Sequence, residues 1–544
     1  MDRSRIPGIL ATVAICCVLA SAPLAAQQNI VTVRLESLDG LLAEVERLGK
    51  AAPLPVDRDA LMKDLPLGLP GGEWLDGTRP IVAVLPQMGM MAGDKGIVVA
   101  MPIQDLAMLF DALGAKYSEH QEEGETHSFS GEGSAAIYVR PLGGYVAVGA
   151  MKNFVDAFDL DDALESADLP PGVIAGEILL EPIAPFVQMA LMQGRETMKQ
   201  QMAAGADPAA SAGMIDVYFD LVTDLMNNVS RLQIAARVDG ENVLVHKRLL
   251  PRAGSTLAGM LESQSGGLPE IARYVDPTDS TWVVAGQVQF TPAFHEAVSG
   301  YMHRYGEAME SLGAAFDASP QLSGFGGWFG TIAQSATGML ECYRGDFVAV
   351  TRFGESGMGS VNVAGVEDAE SCRETLVTMT RALSEMPQLP EGGMSVEAEP
   401  DAFDHRGVAV TKQTIRFDLS GDAKQDEVLG AIYGESGIST YTGIHDDVLL
   451  SVTGVEEAEM EFRDLVDRLA DSKKSAGIPV TFFAPLKVGP GFYGRFDLGS
   501  FMGSLARVAG EEKDAAGVIV LGASFTKQAL NVELAFPSGL WTGE

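Results

Sequence analysis

The feature that most constrains this chain is a strand–turn–strand–helix pattern that occurs twice. Ile81-Val-Ala-Val-Leu85 is a short apolar run, Met91-Ala-Gly-Asp-Lys-Gly96 reads as a turn, and Ile97-Val-Val-Ala-Met101 leads to Leu106, Leu109, Phe110 and Leu113 at helical spacing. The second copy runs through Phe347-Val-Ala-Val-Thr351, Gly354-Glu-Ser-Gly357 and Val361-Asn-Val-Ala-Gly365 to a helix carrying Cys372, Leu376, Met379 and Leu383. Short apolar runs bounded by turn residues suit buried strands, and the wider spacing suits helices. A hairpin followed by an amphipathic helix supplies an apolar sheet face together with the layer that covers it. The continuation repeats as well. Ala136–Arg140, Leu142-Gly-Gly144, Tyr145–Val148 and a helix at 153–158 match Ile438–Thr442, His445-Asp-Asp447, Val448–Val452 and a helix at 456–469. Two copies are therefore expected at 79–160 and 345–471.

A second kind of unit is read between and after these copies. Ile174–Leu180 reads as a strand, followed by helices through Phe186, Met189 and Met192 and through 217–226. Asp239-Gly240 between two alternating apolar runs signals a hairpin. Trp282–Phe290 with Phe294–Leu312, and Gly491–Phe496 with the runs near 518–523 and 530–536, read as further versions. The predicted class is α+β, with duplicated modules of antiparallel or mixed sheet and helices packed on one face. The expected boundaries are 1–26 for a signal peptide, then modules at 27–160, 161–265, 266–344, 345–475 and 476–544. A chain of 544 residues is long enough for several cores.

Arg3 and Arg5, the apolar stretch from Ile6 to Leu19, and Pro23-Leu-Ala-Ala26 predict a signal peptide cleaved after Ala26. The expected location is periplasmic or extracellular. Cys16 and Cys17 fall within the leader, which leaves Cys342 and Cys372 as the expected disulfide in an oxidising compartment. No later run is long and apolar enough for an integral span, so none is expected after cleavage. The leader, the opening Arg79-Pro-Ile-Val-Ala-Val-Leu85 and the strand Gly144-Tyr-Val-Ala-Val148 feeding a helix are the features of a resemblance that covers about half the chain. In these the chain resembles uncharacterised exported bacterial proteins built from repeated α+β modules. That resemblance implies an envelope or extracellular setting and transfers no active-site residue.

Charge narrows the partners. The 74 acidic residues outnumber 38 basic ones, a formal net charge of −36, so nucleic acid is not an expected partner, nor is anionic lipid held by charge alone. Gly354-Glu-Ser356-Gly357 and Gly434-Glu-Ser436-Gly437 lack the last glycine of a nucleophile elbow and read as turns. His295 and His303 lie too far apart on one helical pattern for a shared zinc, and no Cys-x-x-Cys is present. Glu119-His120-Gln-Glu122-Glu123-Gly-Glu125-Thr-His127 is dense in potential ligands without calcium-loop spacing, and reads as a solvated loop between strands. Gly324-Phe-Gly-Gly-Trp-Phe-Gly330 lacks the strand–turn–helix context of a dinucleotide site. Its Phe325, Trp328 and Phe329, with Met189 and Met192, are the candidate ligand or partner contacts. No catalytic, cofactor-binding or metal-binding residue is assigned. The expected function is a non-enzymatic envelope role in interaction or scaffolding, for an envelope-protein partner. The alternative is a periplasmic carrier or binding protein for a lipid or other hydrophobic ligand.

Overall fold

The computed structural model describes residues 28–49, 72–131, 134–165, 169–203, 208–317, 325–354, 357–386, 394–417, 430, 432–434, 437–473, 477–487, 489, 491–508 and 517–537. They fall into two compact units, the first holding residues up to Leu191 with Val229–Arg252, the second Met192–Asn228 and Ala253–Pro537. The fold is α+β and antiparallel.

In the first unit β1 (Asn29–Leu35) leads through α1 (Leu38–Gly49) to β2 (Ile81–Pro86), β3 (Val98–Pro102) and α2 (Leu106–Lys116). Four strands follow: β4 (Glu119–Glu123), β5 (Thr126–Gly131), β6 (Ser134–Leu142) and β7 (Tyr145–Gly149). Then come α3 (Lys152–Ala157), α4 (Leu160–Glu165) and β8 (Ile174–Leu179). The chain then enters α5 (Ala184–Ala203), whose residues from Met192 on count with α6 (Pro208–Asn228) in the second unit, and returns to the first with the hairpin of β9 (Val229–Asp239) and β10 (Asn242–Pro251). The spatial order is β4-β5-β6-β7-β3-β2-β1-β8-β9-β10. The strand at 174 and the hairpin after 229 thus continue the same sheet, because β1 pairs with β2 on one side and β8 on the other.

Past Arg252 the second unit continues with α7 (Thr256–Ser263), β11 (Trp282–Gln287), α8 (Pro292–Asp317) and α9 (Phe325–Cys342). It continues through β12 (Tyr343–Gly354), β13 (Gly357–Val366), α10 (Ala369–Ser384), β14 (Met394–His405) and β15 (Val408–Phe417). After β16 (Ile438–His445) and β17 (Val448–Gly454) come α11 (Ala458–Ala470), β18 (Gly491–Asp497), α12 (Leu498–Val508), β19 (Val518–Thr526) and β20 (Ala529–Pro537). Its order is β14-β15-β16-β17-β13-β12-β11-β18-β19-β20. Strand by strand, this is the order of the first unit advanced by ten, so the duplication spans the whole sheet.

Local chemistry repeats with the topology. Asp105 caps α2 by accepting from the backbone N–H groups of Ala107 and Met108, and Asp368 caps α10 through those of Glu370 and Ser371. Two-residue turns join β6 to β7 and β16 to β17, with Gly143 at φ 64° and Asp446 at φ 51°. Left-handed turns of this kind match the twist of paired strands. In the first unit Ile81, Val99, Met101, Val146 and Val148 pack with Leu38, Leu109 and Leu113. Val82, Val84, Val98 and Ala100 pack with Val155, Phe158 and Ala163. Helices therefore cover both faces of the central strands.

Glu119–Thr126 departs from its reading as a loop, since β4 and β5 pair as a hairpin across Gly124-Glu125. Its polar residues hide a strand because β4 is exposed along its length. Met91–Gly96 belongs to a 3-10 segment, Gln87–Gly96. Among the described residues no helix is long and apolar enough to cross a membrane.

Cys342 ends α9 and bonds Cys372 in α10, with Cα atoms 5.6 Å apart. Both sit in the cluster of Met339, Val366, Leu376, Ile444 and Leu449. Removing the cross-link by C342A/C372A is expected to destabilise the second unit by about 3 kcal/mol, measured as a lower urea midpoint for its unfolding.

Candidate functional site

The second unit opens a cleft of about 850 Å³ where the β12–β13 hairpin, the turn after η-helical residues 270–274 and the start of α11 meet. One arginine ties these pieces together. Arg352, on β12, donates through Nη2 to the Asp276 carbonyl at 2.8 Å and through Nε to the Thr278 carbonyl at 3.3 Å. Its Nη1 meets Glu461 of α11 at 2.9 Å. The turn it grips is itself closed, because the Asp276 carboxylate accepts from both the backbone N–H (2.9 Å) and the hydroxyl (2.6 Å) of Thr278. Those two bonds from Thr278, with the charges of Arg352 and Arg468, hold the Asp276 carboxyl below the usual carboxylate range. Behind the turn, buried Thr281 accepts from the Phe353 backbone N–H at 3.3 Å, fixing the strand end that forms the floor.

The lining divides by chemistry. Phe353, Met358, Val361, Val455 and Met460 supply apolar surface, and Met460 is exposed. Seven carboxylates, among them Asp276, Asp279, Glu457, Glu461 and Asp464, face three basic residues, Arg352, Arg468 and Lys473. Two of the acids sit at positions that favour glycine: Asp279 at φ 56° and Glu457 at φ 58°. Glu457 is also the N-cap of α11 and its side chain makes no cap bond. A second hollow, of about 350 Å³, shares Gly454, Val455, Glu457, Ala458 and Met460 and continues past the helix start to Tyr441 and Arg463.

The corresponding connection is where the two units differ. β2 and β3 are joined by the 3-10 segment Gln87–Gly96, in which Gly89 and Gly96 approach so closely that a Cβ on Gly96 would lie 2.1 Å from the Gly89 carbonyl oxygen. β12 and β13 are joined at Gly354 and Gly357 with only positions 355 and 356 between them. Glu355 and Ser356, like Ser436 and the expected leader at 1–26, lie outside the described residues.

His405 links the β14–β15 turn to α11. Its Nε2 lies 2.9 Å from Asp467, and Arg463 Nη1 is 3.3 Å from its Nδ1. A guanidinium only donates, so Nδ1 is the acceptor and Nε2 carries the proton toward Asp467. Both ring nitrogens are thereby engaged in bracing. Arg463 also lies 3.9 Å over the Phe403 ring.

The residues singled out from sequence are dispersed. Trp328 is part-buried and donates its indole N–H to the Ala382 carbonyl at 2.8 Å, so it anchors α9 to α10. The side chains of Phe325 and Phe329 lie outside the described residues. Met189 and Met192 are 52% and 63% exposed on α5. His303, also exposed, pairs with Glu307 on α8. The cleft residues were not marked by sequence. Arg352 and Glu461 are 109 positions apart and no motif joins them. Comparison with known proteins finds no matching family model and no matching curated protein.

Beyond α11, Asp471 is held at about 2 by hydrogen bonds from Arg406 and then Lys473. A depressed folded value means the bond's contribution is present above the ordinary carboxylate range and disappears as pH falls through about 2. The carboxyl carbon of Asp471 is expected to titrate near that value by NMR, and R406Q to return it toward ~3.9.

Proposed function

We propose that this chain is an exported, non-enzymatic protein of the cell envelope that works by interaction, holding a positively charged amphipathic polypeptide in the cleft of its second unit. The observation that carries this reading is the mixture of seven carboxylates with apolar side chains lining one cleft of about 850 Å³. Its methyl and thioether groups suit apolar side chains, while the carboxylates attract lysine or arginine between them. The carboxylates disfavour a neutral lipid, whose headgroup and chains offer nothing for them to pair with. Export is supported by the leader-like first 26 residues and by the Cys342–Cys372 bond, of a kind that persists in oxidising compartments.

The glycine-favouring positions add to this reading. A left-handed backbone costs a side-chain-bearing residue about 1 kcal/mol, and the chain keeps carboxylates at Asp279 and Glu457 all the same.

The test is fluorescence anisotropy of a labelled peptide alternating lysine and leucine, titrated with the full mature protein. Binding is expected to weaken with added salt, and D464N/E457Q to weaken it about tenfold, the scale of ~1.4 kcal/mol. Equal affinity in the double variant, or equal binding of an alternating glutamate–leucine peptide, would refute the proposal. E457G offers a separate check. It is expected to raise stability by about 1 kcal/mol in urea denaturation while lowering peptide affinity.

A further inference from the structure

The β4–β5 hairpin of the first unit brings together two histidines that sequence spacing leaves apart. Its register sets Glu122 opposite His127 and His120 opposite Phe129. Side chains alternate along a strand, so His120, Glu122, His127 and Phe129 share one face. Helix α2 backs that face. Phe110 lies 4.6 Å from the His127 ring, and the His120 ring stacks on buried Phe129 at 4.5 Å with an interplanar angle of 2°. Both imidazoles are thereby oriented by aromatic neighbours, and His120 Nε2 lies 3.1 Å from His127 Nδ1.

That distance has two chemical meanings. With a proton between the nitrogens it is a hydrogen bond. It also equals the separation of two ligands in adjacent positions around one metal ion, because nitrogens about 2.0–2.1 Å from a common ion at roughly 90–110° lie roughly 2.9–3.4 Å apart. We propose that His120 and His127 form a two-imidazole chelate for a first-row divalent ion of the zinc–copper class. The donor ring shifts its proton to its other nitrogen and small ring rotations turn both lone pairs toward the ion, with water completing the shell. Imidazole ligands select this class over magnesium or calcium. Glu122 and Glu123 on the same strand raise the local concentration of cations.

The experiment is a zinc chloride titration of the metal-free full-length mature protein, followed by calorimetry and by NMR of side-chain-labelled histidine. One equivalent is expected to bind, shifting the resonances of His120 and His127 together. H120Q and H127Q are each expected to weaken binding at least tenfold, while H303Q leaves it unchanged. Shifts at other histidines, no saturable binding, or unaltered affinity in H120Q and H127Q overturn the proposal. Because the NMR readout uses the unsubstituted chain, it decides the matter even where a variant fails to fold.

Discussion

Each unit depends on one strand being held from both sides. β11 pairs Trp282 with Thr351 on β12 and with Phe496 on β18, and the double pairing continues to Gln287, which faces Asp346 and Gly491. A strand with two antiparallel neighbours has its backbone donors and acceptors satisfied and both of its edges committed. Val283 and Ala285 are accordingly fully buried. A slip of one residue would turn every core side chain of β11 outward, so the register of this strand sets that of the hairpins on either side. β1 does the same between β2 and β8.

That constraint also explains what could be read from the linear sequence. The hairpins were legible because their information is local: Asp239-Gly240 and Leu142-Gly-Gly144 sit between apolar runs that pair with one another. The two repeated hairpin–helix stretches were legible for the same reason. What joined them into one sheet was not. β1 meets β8 only after more than a hundred intervening residues, and nothing in Ile174–Leu179 names Asn29–Leu35 as its neighbour. Without that pairing, the segments after 174 and 491 look like units of a different kind. β4 was missed on other grounds, since a strand of five exposed polar residues shows no apolar alternation.

The cleft was illegible for a related reason. Its parts come from the turn at 276–281, the β12–β13 hairpin and α11, and they converge only once β13 has paired with β17. The disulfide was the simplest inference, because the expected leader took the other two cysteines out of consideration. Trp328 shows the limit of reading chemistry from residue type. An aromatic in a glycine-rich segment suggested a ligand surface, yet its indole is committed to a backbone carbonyl on the next helix.

The outermost strands have a consequence for the protein in company with its own kind. An open sheet ends in unpaired backbone groups that can template a neighbour's strand, and duplicating the fold duplicates the hazard. The first unit answers with β4, five exposed residues of which three are glutamates. The second answers with β14, which carries exposed Glu397, Glu399, Asp401 and Asp404, Pro400, and a break in register between Glu399 and Phe403. Carboxylates repel a like strand, and proline with a bulge denies it a regular ladder. Part of the chain's acidity therefore serves as protection against self-templated aggregation, placed where an unfinished sheet is most adhesive.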